Sequence, residues 1–180
     1  MRSLAQFLAG TDPDIFALCE IDAGDALAVA TRFERQYACR GGQALFLKGG
    51  VEITAARDQQ VPLWPSRPFD RRAVVWAQAR YGEHRVSILT AKIAGGREQR
   101  AAEIRHVRKV VRSLAKPAVL FIHLARDAAL HFPQYERVAA HRPVSERVYQ
   151  SGFVMSNGTI DEAPHDGIAT PIRATLSHEG

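Results

Sequence analysis

The chain has 180 residues, of which 46% are hydrophobic and 24% charged, and this balance predicts one globular domain over residues 1–180. The formal net charge of +5 and the isoelectric point of about 9.6 favour anionic partners such as phosphates or nucleic acid, although a merely basic surface explains them equally well. No stretch is apolar for long enough to span a membrane, and the apolar segment within the first ten residues is too short for a signal peptide.

The first part of the chain alternates between helical and strand patterns. Residues 2–9 have the spacing of a short amphipathic helix, and residues 14–21 contain an apolar run of strand length that ends at Glu20. Helical spacing returns over residues 24–37, after which CRGG interrupts the chain. Two strands follow, QALFLK and VEITAAR, and then a segment with three prolines, residues 58–70, that we predict to be a loop.

A hairpin and a long helix dominate the rest of the chain. Over residues 71–94, two apolar runs flank a turn sequence, the pattern of a β-hairpin. Residues 97–115 give the clearest amphipathic helix, and for the basic side chains off its apolar stripe we favour a solvated face over a nucleic-acid surface, which stays open as the alternative. Four later segments follow: a strand at 118–125, a partly helical stretch at 126–140, and strands at 152–156 and 172–176.

The mixed order of strands and helices predicts a layered α/β or α+β domain. In such folds, ligands and catalytic groups gather at the ends of strands. Four polar side chains end or follow a predicted strand: Glu20, Lys92, His123 and His178. Three of them also have a plain structural explanation, because Glu20 can be solvated or paired with an arginine, Lys92 can extend to solvent, and His123 can make one hydrogen bond there.

The cysteine pattern bears on metal binding and on location. Cys19 lies inside an apolar run and Cys39 lies near a predicted turn, and neither belongs to a CxxC pair or to a Cys/His zinc spacing. Two cysteines outside such motifs fit a reducing compartment, so we expect a cytoplasmic location.

Four segments occur in an order that points to a known fold. They are DPDIFALCEI, RRAVVWAQARYGEHRVSILTAKIA, REQRAAEIRHVRKVVRSLAKPAVLFIHLA and ATLSHEG. Together they resemble the endonuclease/exonuclease/phosphatase superfamily. In that superfamily a Pro-Asp pair begins a strand that ends in a metal-binding Glu, a hairpin ends in Asn-Thr-His-Leu, a later strand ends in Gly-Asp-Phe-Asn, and the domain closes with Ser-Asp-His. The resemblance covers residues 4–125 and extends more weakly to the C-terminus.

The resemblance implies an α/β (α+β) fold, a two-layer β-sandwich flanked by helices, with the functional strand ends converging at one end. It also implies hydrolysis of phosphate esters by in-line attack of water, with Mg²⁺ or Mn²⁺ held by a carboxylate. Members of the superfamily open with a further strand that carries an Asn, whereas here Met1 leads almost directly into the predicted first helix, so we expect this first strand to be absent. Its absence should leave a sheet edge unpaired, which predicts a homodimer.

The match at the site is partial. Glu20 corresponds to the metal-binding Glu, but Lys92 stands where the His of Asn-Thr-His-Leu belongs. His123 replaces the Asp of Gly-Asp-Phe-Asn, and Ala125 replaces its Asn. His178 aligns with the His of Ser-Asp-His or, after a shift by one residue, with its Asp.

Two functions follow from these departures. In the first, which we favour, the domain has lost ordinary phosphohydrolase activity and binds an anionic ligand or a partner, because one carboxylate is a poor site for a hard cation. In the second, it is a divergent metal-dependent phosphodiesterase, phosphatase or nuclease that uses Glu20 with His123 or His178, in a cleft lined by cations such as Lys92 and Arg72. Two imidazole ligands would suit a Zn²⁺-type metal, Zn²⁺, Mn²⁺ or Fe²⁺, better than Mg²⁺, and a site without metal is equally open.

Overall fold

The computed structural model describes residues 8–10, 12–60, 73–93, 97–124, 132–133, 135–140, 146–151, 154–159 and 173–177. In these ranges the elements follow in this order: β1 (Ile15–Cys19), α1 (Ala23–Arg32), β2 (Gln36–Arg40), β3 (Gln43–Leu47), β4 (Val51–Gln60), β5 (Ala73–Tyr81), β6 (His84–Ile93), α2 (Arg97–Ser113), β7 (Ala118–Leu124), β8 (Glu136–Ala140), β9 (Glu146–Ser151), β10 (Val154–Thr159) and β11 (Arg173–Ser177). No helix in these ranges is long and apolar enough to cross a bilayer.

The strands form two facing sheets and one separate pair. Sheet A has the antiparallel order β1-β3-β2, and sheet B has the order β4-β5-β6-β7-β9-β8. Sheet B is antiparallel except between β6 and β7, which run parallel because α2 carries the chain back between them. The pair β10-β11 lies beside β8. These two mixed and antiparallel layers are the predicted sandwich.

Three apolar clusters fix how the layers stack. α1 packs on the outer face of sheet A, the inner faces of sheets A and B pack against each other, and α2 packs on the outer face of sheet B. Side chains alternate along each strand, so Ile88 faces sheet A while Leu89 faces α2. By the same alternation Thr90, Lys92 and His123 face the interior between the two sheets.

The predicted hairpin, the long helix and the strand after it are confirmed as β5-β6, α2 and β7. The predicted strands at QALFLK and VEITAAR are also confirmed, although β4 extends to Gln60, so residues 58–60 are strand rather than loop. β10 and β11 confirm the two late strands with boundaries shifted by one to three residues. The rest of the predicted loop and most of the predicted first helix lie outside the described residues, and Leu8–Gly10 of that helix are helical.

The prediction of a helix over residues 24–37 is wrong at its C-terminal end. α1 ends at Arg32 because Glu34 takes a left-handed conformation with φ of 50°, and the Arg35 N–H donates to the Ala30 carbonyl at 2.9 Å. Tyr37 therefore lies in β2, which pairs with β3 instead of continuing the helix. Gly41 and Gly42, with φ of 53° and 73°, form the two-residue turn between these strands, a turn that needs two left-handed residues.

The partly helical prediction over residues 126–140 is also wrong where it can be checked. Residues 136–140 form β8, which pairs with β9 and closes one edge of sheet B. Pairing to a neighbouring strand satisfies the backbone of this short segment, and it outweighs the weak local helical pattern. Residues 126–131 lie outside the described part of the chain.

Candidate functional site

Glu20 stands immediately after β1, in a conformation that strands do not use. Its φ of 62° is left-handed, and its N–H donates to the Gly42 carbonyl at 2.6 Å. The N–H of Ile21 donates to the same carbonyl at 3.4 Å. In β1, Phe16 and Leu18 face α1, so a continued alternation would also turn residue 20 away from sheet B. The left-handed turn breaks this alternation, and the carboxylate reaches across to sheet B.

Lys92 meets this carboxylate from the opposite sheet. It lies one residue before the end of β6, and its ammonium donates a hydrogen bond to Oε1 of Glu20 in an ion pair. The two side chains differ sharply in exposure, with 16% for Lys92 and 72% for Glu20. The pair therefore consists of a largely enclosed cation and a carboxylate that remains open to solvent.

His123 belongs to the same end of the sandwich. It lies on β7 directly beside Lys92 in the parallel register of β6 and β7. Its position beside Phe121, which packs in the interior between the sheets, puts its imidazole on the side that faces sheet A. The imidazole also acts electrostatically on the Glu20 carboxylate.

The cations set the charge state of Glu20. The hydrogen bond and the charge of Lys92 lower the pKa of Glu20 from its ordinary value of 4.5, partial burial opposes this, and His123 adds a smaller lowering. The carboxylate is therefore ionised at neutral pH and already has a cationic partner.

A buried polar network lies beneath the ion pair. Gln43 of β3 is only 1% exposed, and its Oε1 accepts from the Thr90 hydroxyl at 3.2 Å and from Sγ of Cys19 at 3.1 Å. Its Nε2 donates to the Gly42 carbonyl at 3.2 Å. These contacts join β1, β3 and β6 directly below Glu20 and Lys92, so the site has a floor whose polar groups are paired.

The described residues do not fit a hard divalent cation at this position. Mg²⁺ and Mn²⁺ prefer several oxygen ligands, whereas one carboxylate is present here and a lysine ammonium is bonded to it. No group of three or more His, Cys, Asp or Glu side chains in the described ranges is placed to hold a metal. A site made of Glu20, His123 and His178 remains a prediction, because His178 lies outside the described residues, as do Ala125 and Arg72.

The structure thus brings together three of the four residues singled out in the sequence, namely Glu20, Lys92 and His123. Sequence reasoning missed Gln43 and Thr90, which support them. A signal was available, because a glutamine that opens the apolar run QALFL and a threonine inside SILTAKI are polar residues in strands that otherwise read as buried.

No protein-family model and no curated protein matches the sequence. Solved structures do match the fold. An endonuclease/exonuclease/phosphatase family protein from Bacteroides thetaiotaomicron is similar with a TM-score of 0.68, over 87% of this chain and 76% of its own, at 15% identity. A mannosyl-6-phosphatase from the same organism has a TM-score of 0.74, over 97% and 84% of the two chains, at 12% identity.

The chain has the fold of the endonuclease/exonuclease/phosphatase superfamily. D. rerio TDP2 complexed with a single-strand DNA product shares this fold too, with a TM-score of 0.64 over 82% of this chain and 75% of its own, at 14% identity. The fold predicted from the order of segments is confirmed. Within this superfamily fold, the roles of Glu20, Lys92 and His123 are a separate question, since one fold carries many functions.

Proposed function

We propose that this domain is a degenerate member of the endonuclease/exonuclease/phosphatase superfamily that binds an anionic ligand and lacks ordinary phosphohydrolase activity. The ion pair between Lys92 and Glu20 carries the proposal. A carboxylate that would have to hold a catalytic metal is instead neutralised by a lysine from the facing sheet. A lysine cannot take over proton transfer near neutral pH without a large shift of its pKa, and losing a general base costs about 10²–10⁴ in rate.

Hydrolysis of a generic phosphodiester tests the loss of activity. Bis(p-nitrophenyl) phosphate would be incubated with the wild type and with Glu20→Ala, in Mg²⁺, Mn²⁺ and Zn²⁺ in turn. We expect no turnover that distinguishes the two proteins. Metal-dependent turnover that disappears in Glu20→Ala would overturn the proposal.

The unequal exposure of the two partners supports a role in anion binding. Lys92 is enclosed and Glu20 is open, so an incoming phosphate can displace the carboxylate and take its place on the ammonium. Glu20 then acts as an internal competitor. We expect Glu20→Gln to bind inorganic phosphate several-fold more tightly in a calorimetric titration, and Lys92→Met to lose the binding. An unchanged affinity in Lys92→Met would place the anion elsewhere.

A metal-binding titration separates the second candidate, a divergent metal-dependent phosphodiesterase, phosphatase or nuclease. One observation favours it, since the His123 imidazole lies near enough to Glu20 to lower its pKa. This enzyme would use Glu20 with His123 or His178 around a Zn²⁺-type metal. It predicts stoichiometric Zn²⁺ binding that is lost in Glu20→Ala and in His123→Ala or His178→Ala, whereas the first proposal predicts no such binding.

Self-association through β1 is part of the same proposal. Within the described residues β1 pairs on one edge only, with β3, and an open strand edge can pair with another chain. Light scattering over a dilution series measures the mass. A monomer at every concentration would remove the homodimer from the proposal.

A further inference from the structure

A second polar and aromatic surface lies on the outer face of sheet B, away from the candidate site. Two rows of side chains cross three neighbouring strands there: Arg57 opposite Trp76, and Ala55 opposite Gln78 with Ser87 beyond it. Together with Ser113, Leu114 and Ala115 after the last turn of α2, these residues line a cavity of about 250 Å³. This is below the roughly 300–1,000 Å³ of sites for drug-sized ligands, so the cavity has room for one ring system.

The basic side chains of α2 continue from this cavity. Lys109 lies one helical turn before Ser113 and therefore on the same flank of the helix. Arg105, Lys109 and Arg112 are exposed, and none of the three pairs with a carboxylate among the described residues. Arg57, on the floor of the cavity, is exposed as well. The exposed basic side chains of α2 and Arg57 thus form a row that ends at the Trp76 indole.

The charge of the whole chain is concentrated on this helix. Six basic and two acidic residues give α2 a net charge of +4, which leaves +1 for the other 163 residues out of the chain total of +5. Cations near a helix C-terminus stabilise the helix through its dipole. That effect needs only the last turn, whereas the basic side chains here start two turns earlier.

We propose that the cavity and the adjoining basic flank of α2 bind single-stranded nucleic acid. One base stacks on Trp76 inside the cavity, and successive backbone phosphates lie along Arg57, Lys109, Arg112 and Arg105. Aromatic stacking combined with a basic track is how proteins hold single strands without reading their sequence. A duplex would first have to unpair and unstack a base to insert it into such a cavity, so it should bind more weakly than a single strand.

A polymer fits this surface better than a free nucleotide. Arg105 and Arg112 are seven residues apart, which spans about 10 Å along a helix, so a single phosphate cannot reach both. The proposal is independent of the proposed function, because α2 runs antiparallel to β6 and its C-terminus lies at the opposite end of sheet B from Lys92.

Binding of a labelled oligothymidylate, followed by fluorescence anisotropy over a series of salt concentrations, tests the proposal. We expect Trp76→Leu to weaken binding by about 5-fold to 100-fold, the usual effect of losing one stacked base. Lys109→Gln/Arg112→Gln should flatten the slope of log K against log salt by about 1.4, since each single-strand phosphate contact contributes about 0.7. Gln78→Glu, which places a carboxylate on the exposed floor, should weaken binding while leaving the fold intact.

Matched controls decide between this surface and general attraction to a basic protein. Arg32→Gln removes an exposed arginine from α1 on the opposite face of the molecule, and it should leave the affinity unchanged. In Trp64→Phe, Trp76 is the only remaining tryptophan, and its emission should be quenched on binding.

Several results would overturn the proposal. Arg32→Gln could lower the affinity as much as Arg112→Gln, which would indicate diffuse electrostatics. Thymidine monophosphate could displace the labelled oligothymidylate with an affinity equal to that of the oligonucleotide itself, which would identify a pocket for a single nucleotide. Poly-glutamate or duplex DNA could bind as tightly as the single strand, which would identify an acidic or duplex partner instead.

Discussion

The two ends of β1 carry similar groups with different surroundings. Asp12, before the strand, and Glu20, after it, both adopt left-handed backbone conformations, with φ of 41° and 62°. Both carboxylates accept hydrogen bonds from cations. Asp12 binds Arg35 and Lys48, while Glu20 binds Lys92.

The difference lies in where the cations come from. Arg35 and Lys48 belong to the segments that flank sheet A, and the Arg35 side chain is only 5% exposed. Asp12 thus ties sheet A to its own connections and pairs a buried guanidinium. Lys92 comes from sheet B, and Gln43 and His123 surround the pair that it forms with Glu20. A charged pair on strained backbone is therefore no sign of a ligand site, and its neighbours decide the question.

The largest expected effect comes from removing Gln43, which holds the polar network beneath Glu20 and Lys92 together. Gln43→Leu leaves the Thr90 hydroxyl buried without its acceptor, so we expect a loss of about 2 kcal/mol in the free energy of unfolding. Urea denaturation measures this loss. Adding Thr90→Val removes the hydroxyl that has lost its acceptor and should restore part of the stability. A double variant as unstable as Gln43→Leu would mean that packing, not hydrogen bonding, accounts for the contribution of Gln43.

Replacing each carboxylate by its amide should separate the two ends. Asp12→Asn weakens the pairing of the buried Arg35, whose Nε has no hydrogen-bond partner among the described residues, so the melting temperature should fall by several degrees. Glu20→Gln should change the melting temperature less, because its partner Lys92 is more exposed than Arg35, at 16% against 5%. Equal losses in a calorimetric scan would contradict the distinction drawn between the ends.

A glycine at residue 20 isolates the backbone strain. Glu20→Gly and Glu20→Ala both remove the carboxylate, but only glycine adopts a left-handed conformation without steric cost. Glu20→Gly should therefore be about 1 kcal/mol more stable than Glu20→Ala. Chemical denaturation of the two variants checks this, and equal stabilities would mean that the turn relaxes when the ion pair is absent.

The smallest effect is the acid dependence of the Glu20 pair. Lys92 lowers the pKa of Glu20 in the folded state below 4.5, so the stabilisation is present above pH 4.5 and is lost as the pH falls through the folded value. An exposed pair contributes roughly 0–1 kcal/mol. The stability difference between the wild type and Glu20→Gln should shrink below pH 4.5. A difference that grows there would mean that the folded state raises the pKa of Glu20 instead of lowering it.

How much the sequence could predict depends on the range of the interactions. Glu20, Lys92 and His123 were identifiable because an apolar run ends beside each of them, and this pattern is local. The ion pair between Glu20 and Lys92 was not predictable. The two residues are 72 positions apart in the sequence, and they meet only because the two sheets stack in one particular alignment. For Glu20 the sequence analysis allowed a solvated carboxylate, a pair with an arginine or a metal ligand, and the partner proved to be a lysine.

The errors in the secondary structure have the same origin. Tyr37 continues the helical spacing of α1, yet β2 forms there because β3 offers a full set of hydrogen bonds to a strand at that position. No residue type announces the left-handed Glu34 that ends the helix. Residues 136–140 became β8 through pairing with β9, a partner that no local pattern could specify.

The Gly42 carbonyl has one more consequence. It receives the N–H groups of Glu20 and Ile21, and these bonds involve no side chain. The main chain thus helps to hold residue 20 in its left-handed turn, facing the opposite layer, without help from the side chain of that residue. A single substitution at residue 20, in evolution or in the laboratory, can therefore change the functional group at this position while the surrounding scaffold stays the same.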